Sequence, residues 1–274
     1  MLVSVDGAQL YCSTRGSGIT CIVPSILGTR VFERLTPEPL TDYFRFVYVD
    51  LRGGGRSTGD PRDLTFDVLA SDLDAVRAAI GAAKASVFGY SILGAVALEY
   101  SRRFPATVSH VIAAGTPPIG DTRELVKSSS AFFAADGSAE RKAILQENLA
   151  ALAPDTPPTR AVFAQTPMRF FDPRFDAVSL FADTQFNPGL FEHVLALTAP
   201  WNVLDGVESL QAPILLAHGR YDYAVPFTMW DGVVEQIPNA TLRLFERSGH
   251  QPFFEEPRQF AEVVLDWMSA SPAE

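Results

Sequence analysis

Three side chains, far apart in the chain, have the types needed to turn a hydroxyl into a nucleophile. The first lies in Val87-Phe88-Gly89-Tyr90-Ser91-Ile92-Leu93-Gly94. An apolar strand runs into a serine, and helical periodicity begins directly after it. Gly89, two before the serine, stands where a side chain would clash in a tight strand-to-helix turn. Such a turn strains the serine backbone and pushes its hydroxyl out at the carboxyl edge of a sheet. It also sets the serine at a helix N-terminus, where free N–H groups favour a developing anion. The competing reading is a plain N-cap, a common role for serine. The turn departs from its usual form, which has a small residue two after the serine. Leu93 holds that place and Gly94 follows, so the helix must approach slightly differently.

A nucleophilic serine needs a base, and the base needs an orienting acid. The chain has 4 histidines. His110 falls inside a predicted strand, His193 has no acidic partner evident nearby, and His218 ends a strand; each reads as structural. His250 stands in Arg247-Ser248-Gly249-His250-Gln251-Pro252, a loop after the last predicted strand, where reactive groups gather. Asp222, in Gly219-Arg220-Tyr221-Asp222, follows a strand directly; its ordinary alternative is an Asx-turn. The order Ser91, Asp222, His250 is a known order of nucleophile, acid and base.

The elements that must position these groups follow from periodicity. Strands are predicted at Leu2–Val5, Gln9–Ser13, Ile19–Val23, Phe44–Asp50, Ala85–Phe88, Val108–Ala113, Ile214–Ala217 and Thr241–Phe245, with a hairpin turn at Asp6-Gly7. Leu69, Leu73, Val76 and Ile80 form one helical face, with Asp72, Asp74 and Arg77 off it. Further helices are predicted at Leu93–Tyr100, Pro226–Ile237 and Pro257–Met268. A hairpin followed by strand–helix alternation implies a mostly parallel, helix-covered sheet. Residues 118–207 break the alternation, being helical or irregular and rich in Pro and Phe. They read as an insertion: a core of residues 1–117 and 208–274, and a cap of 118–207.

Composition removes several classes. A chain of 274 residues, 47% hydrophobic and 20% charged, is globular and large enough to fold without staples. A net charge of −10 argues against nucleic acid and against anionic membrane surfaces. No apolar run reaches the ~18 residues of a membrane span, and the first residues lack a signal-peptide pattern. Cys12 and Cys21 are too few for a disulfide scaffold, so a cytoplasmic location is expected. Of 20 phenylalanines, 9 lie between residues 121 and 205.

Four segments in this order resemble the α/β-hydrolase superfamily, especially its proline iminopeptidase-like and carboxylesterase branch. They are Asp50-Leu51-Arg52-Gly53-Gly54-Gly55-Arg56-Ser57, the serine turn, Gly219-Arg220-Tyr221-Asp222, and Ser248-Gly249-His250-Gln251-Pro252-Phe253-Phe254-Glu255-Glu256-Pro257. The resemblance implies an α/β fold with an eight-stranded sheet whose second strand is antiparallel. It implies that Phe44–Asp50 lies between Gln9–Ser13 and Ile19–Val23, which separates Cys12 from Cys21, and that the cap follows the sixth strand. It implies catalysis by Ser91, Asp222 and His250, with no metal and no organic cofactor. The family's usual His-Gly oxyanion loop is replaced by Pro24-Ser25-Ile26-Leu27-Gly28; by position the backbone N–H donors are Ile26 and Ile92.

The expected reaction is hydrolysis of a small, neutral, hydrophobic ester or lactone through an acyl-enzyme. Tyr90, Phe132, Phe171 and Trp201 are expected at the pocket, while most cap phenylalanines pack the cap onto the core. The alternatives are a proline iminopeptidase-like aminopeptidase, and a cofactor-independent oxygenase or ligand-binding protein on the same scaffold. A monomer or homodimer is expected.

Overall fold

The computed structural model describes residues 1–156, 158–182 and 184–271. Its centre is one sheet of eight strands: β1 (Leu2–Val5), β2 (Ala8–Arg15), β3 (Ile19–Ser25), β4 (Phe44–Asp50), β5 (Ala85–Tyr90), β6 (Val108–Ala114), β7 (Ile214–Gly219) and β8 (Ala240–Phe245). The spatial order is β1-β2-β4-β3-β5-β6-β7-β8. β2 is antiparallel to both of its neighbours, and every later pair is parallel. β4 therefore separates β2 from β3. Cys12 and Cys21 are buried, unbridged thiols on strands that do not touch.

The central strands read as continuous apolar runs because helices cover both faces. On one side Val87, Val111 and Leu216 meet α2 (Phe66–Ala79) and α3 (Leu93–Arg103). On the other, Phe88, Ile112 and Leu215 meet α1 (Thr29–Leu35) and, near the end of the chain, a C-terminal helix over Pro257–Ala270. Leu69, Leu73 and Val76 are buried as the helical period requires. Asp72 is buried too, against the expectation that it lies off the apolar face. It accepts a bidentate pair from Arg52, Nε to Oδ2 at 2.6 Å and Nη2 to Oδ1 at 2.8 Å. That pair ties the turn after β4 to α2.

Between β6 and β7 the described residues form six α-helices: α4 (Thr122–Asp136), α5 (Ala139–Ala150), α6 (Pro158–Ala164), α7 (Thr166–Arg169), α8 (Ala177–Leu180) and α9 (Pro188–Thr198). Where this segment leaves the core it is zipped to its own return. Ile119 and Asn202 form an isolated antiparallel bridge, and Gly120 N–H donates to the Trp201 carbonyl at 2.8 Å. After β8 come α10 (Pro252–Glu255) and α11 (Pro257–Ala270). The helix expected over Pro226–Ile237 is instead two 3₁₀ turns, Phe227–Trp230 and Val234–Gln236, broken at Asp231-Gly232. The buried Trp230 accounts for the break: its indole N–H donates to the Thr116 carbonyl at 2.8 Å, which a regular helix need not deliver.

Among the described residues, no helix is long and apolar enough to cross a membrane.

Candidate active site

Ser91 sits between β5 and α3 with φ at 54°, the only non-glycine positive φ among the described residues. Left-handed backbone at a side-chain-bearing residue costs about 1–3 kcal/mol and persists only where its surroundings hold it. Ser91 N–H donates to the Ala114 carbonyl at 2.8 Å, and Gly94 N–H donates back to the Ser91 carbonyl at 2.9 Å. A Cβ on Gly89 would stand 2.5 Å from the Leu93 carbonyl oxygen and 2.6 Å from the Gly94 Cα. The shifted glycine has its own reason: a Cβ on Gly94 would lie 1.9 Å from Thr116 Oγ1. Leu93 turns inward and is buried.

The loops after β7 and β8 bring the other two side chains to Ser91. His250 Nε2 is 3.0 Å from Ser91 Oγ, and His250 Nδ1 is 2.7 Å from Asp222 Oδ2. An ionised carboxylate can only accept, so Nδ1 carries the proton and donates to Asp222. Nε2 is then the acceptor that faces the Ser91 hydroxyl. Asp222 is fully buried, and its other oxygen accepts from Ala224 N–H at 3.0 Å and Val225 N–H at 2.8 Å. These bonds are also an Asx-type turn, made by the same carboxylate that accepts from His250.

The base loop is pinned from beside it by two neighbouring carboxylates. Glu256 accepts from Arg247 N–H at 2.9 Å and from Ser248 Oγ at 2.6 Å. Glu255 accepts from Gly249 N–H and from Phe171 N–H, both at 2.7 Å. Burial pushes the Glu255 carboxyl up to about 7, against the pull of those two N–H donors, and the Asp222 charge adds to the rise. Gln251 Nε2 donates to the Tyr90 hydroxyl at 2.7 Å, which links the residue after His250 to the residue before Ser91. The Tyr90 ring also lies 5.0 Å from the His250 ring. Burial raises the Tyr90 phenol above its usual range, so it stays protonated.

Ile26 lies just beyond β3, and Ile92 follows Ser91. Among the described residues, neither backbone N–H has a hydrogen-bond partner. Buried or partly buried N–H groups are rarely left so. The loop that carries Ile26 is held by Leu27, whose N–H donates to Ser25 Oγ at 3.1 Å and whose carbonyl accepts from Gln185 N–H at 3.0 Å.

Two of the other expected pocket residues pack on the neighbours of Asp222 in the chain. Phe132 packs on Tyr223 and Phe227, and Phe171 packs on Tyr221 under Arg247. Trp201 is instead 7% exposed in the core, its indole N–H donating to Glu99 at 2.9 Å. All nine phenylalanines of the insertion have an aromatic partner, such as Phe163 with Phe181 and Phe186 with Phe191. A cleft of about 570 Å³ runs between α5, α6 and α8, lined by Ile144, Asn148, Phe163 and Phe175; none of Ser91, Asp222 or His250 borders it.

The other histidines have structural contacts. His110 Nε2 bonds the Ser271 carbonyl at 2.7 Å, and His193 Nε2 bonds the Leu64 carbonyl at 3.0 Å. His218 is fully buried beside Trp230, and burial depresses it to about 4, so it is neutral. Glu255, Glu256 and Gln251 stand in the same stretch as His250; Glu256 bonds within that stretch, while the bonds of Glu255 to Phe171 and of Gln251 to Tyr90 reach partners distant in sequence and were not legible from it.

A profile of the alpha/beta hydrolase fold matches residues 21–257. The chain is 28% identical over 274 residues to the AB hydrolase superfamily protein YclE of Bacillus subtilis, covering 96% of each chain. It is 26% identical over 253 residues to the pimeloyl-[acyl-carrier protein] methyl ester esterase of Aromatoleum aromaticum, covering 88% of this chain and 93% of that one. Its fold is similar to that of proline iminopeptidase from Mycobacterium smegmatis, with a TM-score of 0.77 and 21% identity over 99% of this chain and 98% of that one. Sheet order, strand directions and the matched profile lead to one conclusion: the chain belongs to the α/β-hydrolase family.

Proposed function

We propose that the protein is a serine hydrolase that cleaves a neutral, hydrophobic carboxylic ester or lactone through an acyl-enzyme. The observation that carries this reading is the chain of contacts from Ser91 Oγ to His250 Nε2 at 3.0 Å and from His250 Nδ1 to Asp222 Oδ2 at 2.7 Å. Ser91 Oγ attacks the carbonyl carbon as its proton passes to His250 Nε2. Asp222 keeps the imidazole in the right tautomer and stabilises the imidazolium. The Ile26 and Ile92 N–H groups receive the oxyanion, where one such donor is worth roughly 10²–10³ in rate. The C–O bond breaks, and the alcohol leaves with the proton from Nε2. Water, deprotonated by His250, then attacks the acyl carbon and releases the acid and free Ser91.

Residues 118–207 act in this reading as a cap over a core of 1–117 and 208–274. The Gln185 bond to Leu27 and the Phe171 bond to Glu255 support it, since both reach the loops around Ser91. The preference for an apolar acyl or alcohol group rests on Tyr90 and Ile92, which flank Ser91 in the chain, and on Ile26 and Leu27 in the loop after β3. The esterase relative supports ester over amide.

The test is reaction with a fluorophosphonate. Wild type should label and Ser91→Ala should not; a folded wild type that stays unlabelled defeats the proposal. Turnover of aryl esters in preference to proline arylamides is expected, and activity confined to the arylamides makes the enzyme an aminopeptidase. Oxygen uptake with an aromatic substrate, without ester turnover, turns the reading to an oxygenase.

A further inference from the structure

Arg141, on α5, is a buried cation, and among the described residues no carboxylate lies within ion-pair distance of it. Burial lowers its affinity for a proton, yet guanidinium stays charged. Its donors go instead to backbone carbonyls at the end of α7. Nη1 donates to Pro167 at 2.8 Å and to Phe170 at 2.9 Å, and Nη2 donates to Phe171. Its guanidinium carbon lies 5.0 Å from the Tyr221 ring centroid and 5.6 Å from that of Tyr223. A cation on the unsatisfied carbonyls of a helix C-terminus is favourable, and the rigid fork of arginine reaches several at once.

The two carbonyls between those three are spent differently. Met168 accepts from Tyr223 N–H at 2.9 Å and from Ala224 N–H at 3.1 Å, directly beyond Asp222. Arg169 accepts from His250 N–H at 2.7 Å. Two residues of the insertion thus bond both the acid loop and the base loop. Phe171 adds a third tie through Glu255 to Gly249, with both bonds at 2.7 Å.

We propose that Arg141 is a positioning residue for the reaction at Ser91: by gathering the carbonyls of Pro167, Phe170 and Phe171, it holds Met168 and Arg169 where they seat the Asp222 and His250 loops against each other. The inference rests on the serine-hydrolase reading above. Arg141 touches no reacting atom; it sets the relative position of two groups that do. A misplacement of ~1 Å by a remote change costs about 10²-fold in rate.

The experiment compares wild type, Ser91→Ala, Arg141→Met and Arg141→Lys. It measures fluorophosphonate labelling rate, kcat and KM on a p-nitrophenyl ester, and the pH profile of kcat/KM, with circular dichroism as the check of folding. Folded Arg141→Met should label and turn over about 10²-fold more slowly, with KM within ~3-fold of wild type. The acid limb of its profile should move, because His250 is held less closely to Asp222, and Arg141→Lys should recover part of the rate. A folded Arg141→Met with wild-type labelling and kcat overturns the proposal. So does a loss that Arg141→Lys shares in full with an unmoved limb. If Arg141→Met does not fold, Arg141→Lys decides: a slower rate with a moved limb supports the proposal, and a wild-type rate and limb overturn it. Failure of the underlying reading is distinct, because then wild type labels no better than Ser91→Ala.

Discussion

The sheet core and the insertion between β6 and β7 hold themselves together by different means. In the core, β5, β6 and β7 bury nearly every residue, and parallel register sets which side chains meet. Neighbours along β5 face opposite layers, so Val87 and Phe88 join different apolar clusters. In the insertion, no strand ladder is present among the described residues, and order comes from ring pairs and from side chains bonded to backbone carbonyls, Arg141 above all. The core presents Ser91, Asp222 and His250 at strand ends. The insertion ties the loops on which the last two ride. A lattice of register tolerates little; a set of ring contacts and clamps fails one contact at a time.

The largest effect is expected at a strand-end side chain. Asp222→Asn keeps the two bonds from Ala224 and Val225 N–H but can set His250 in the wrong tautomer, so kcat on an aryl ester should fall by roughly 10⁴-fold. A fall under tenfold would show that Asp222 serves only its turn.

A paired substitution measures the structural contrast by denaturant unfolding. Gly89→Ala presses a methyl group into the backbone of Leu93 and Gly94 and should cost about 1–3 kcal/mol. Phe163→Leu in the insertion removes one partly exposed ring from its partner Phe181 and should cost about 0.5–1.5 kcal/mol. If the second change costs more than the first, the insertion is not the more forgiving region.

A further effect is a slope with pH. The folded Glu255 carboxyl is raised from 4.5 to about 7 by burial, so between those pH values the folded state holds more protons than the unfolded state. The contribution of Glu255 to stability is thus full below about pH 4.5 and is lost as pH rises through about 7. Glu255→Gln cannot titrate, so the stability of wild type relative to this variant should decline across that window. Thermal melts in matched buffers check it; a parallel pair of curves would place the titration elsewhere.

How much of this was legible in the chain follows physical range. All eight strands were: the central ones because a strand buried on both faces must be an apolar run, and β1 and β2 because Asp6-Gly7 marks a hairpin turn between them. The turn at Ser91 was, because glycine beside a strained serine is a local demand. The strand order was implied only by resemblance, since periodicity says nothing about which strands pair. The region 226–237 misled: its helical spacing is real, but Trp230 is drawn to Thr116 and the chain turns at Asp231-Gly232. The phenylalanine excess was legible only as a count. Composition counts rings without aiming them, and the nine in the insertion are paired with other rings.

The fold class, the strand ends at which side chains meet the sheet's carboxyl edge, and the order serine, aspartate, histidine can be read along the chain. Those depend on contacts within a few residues and on periods of two and 3.6. It takes the folded chain to bring Arg141 to three carbonyls, Glu255 between Phe171 and Gly249, and Met168 and Arg169 to the loops of Asp222 and His250. Those contacts are hydrogen bonds to backbone groups. Every residue carries the same carbonyl and nearly every one the same N–H, so no residue type marks where such bonds form until the chain is folded.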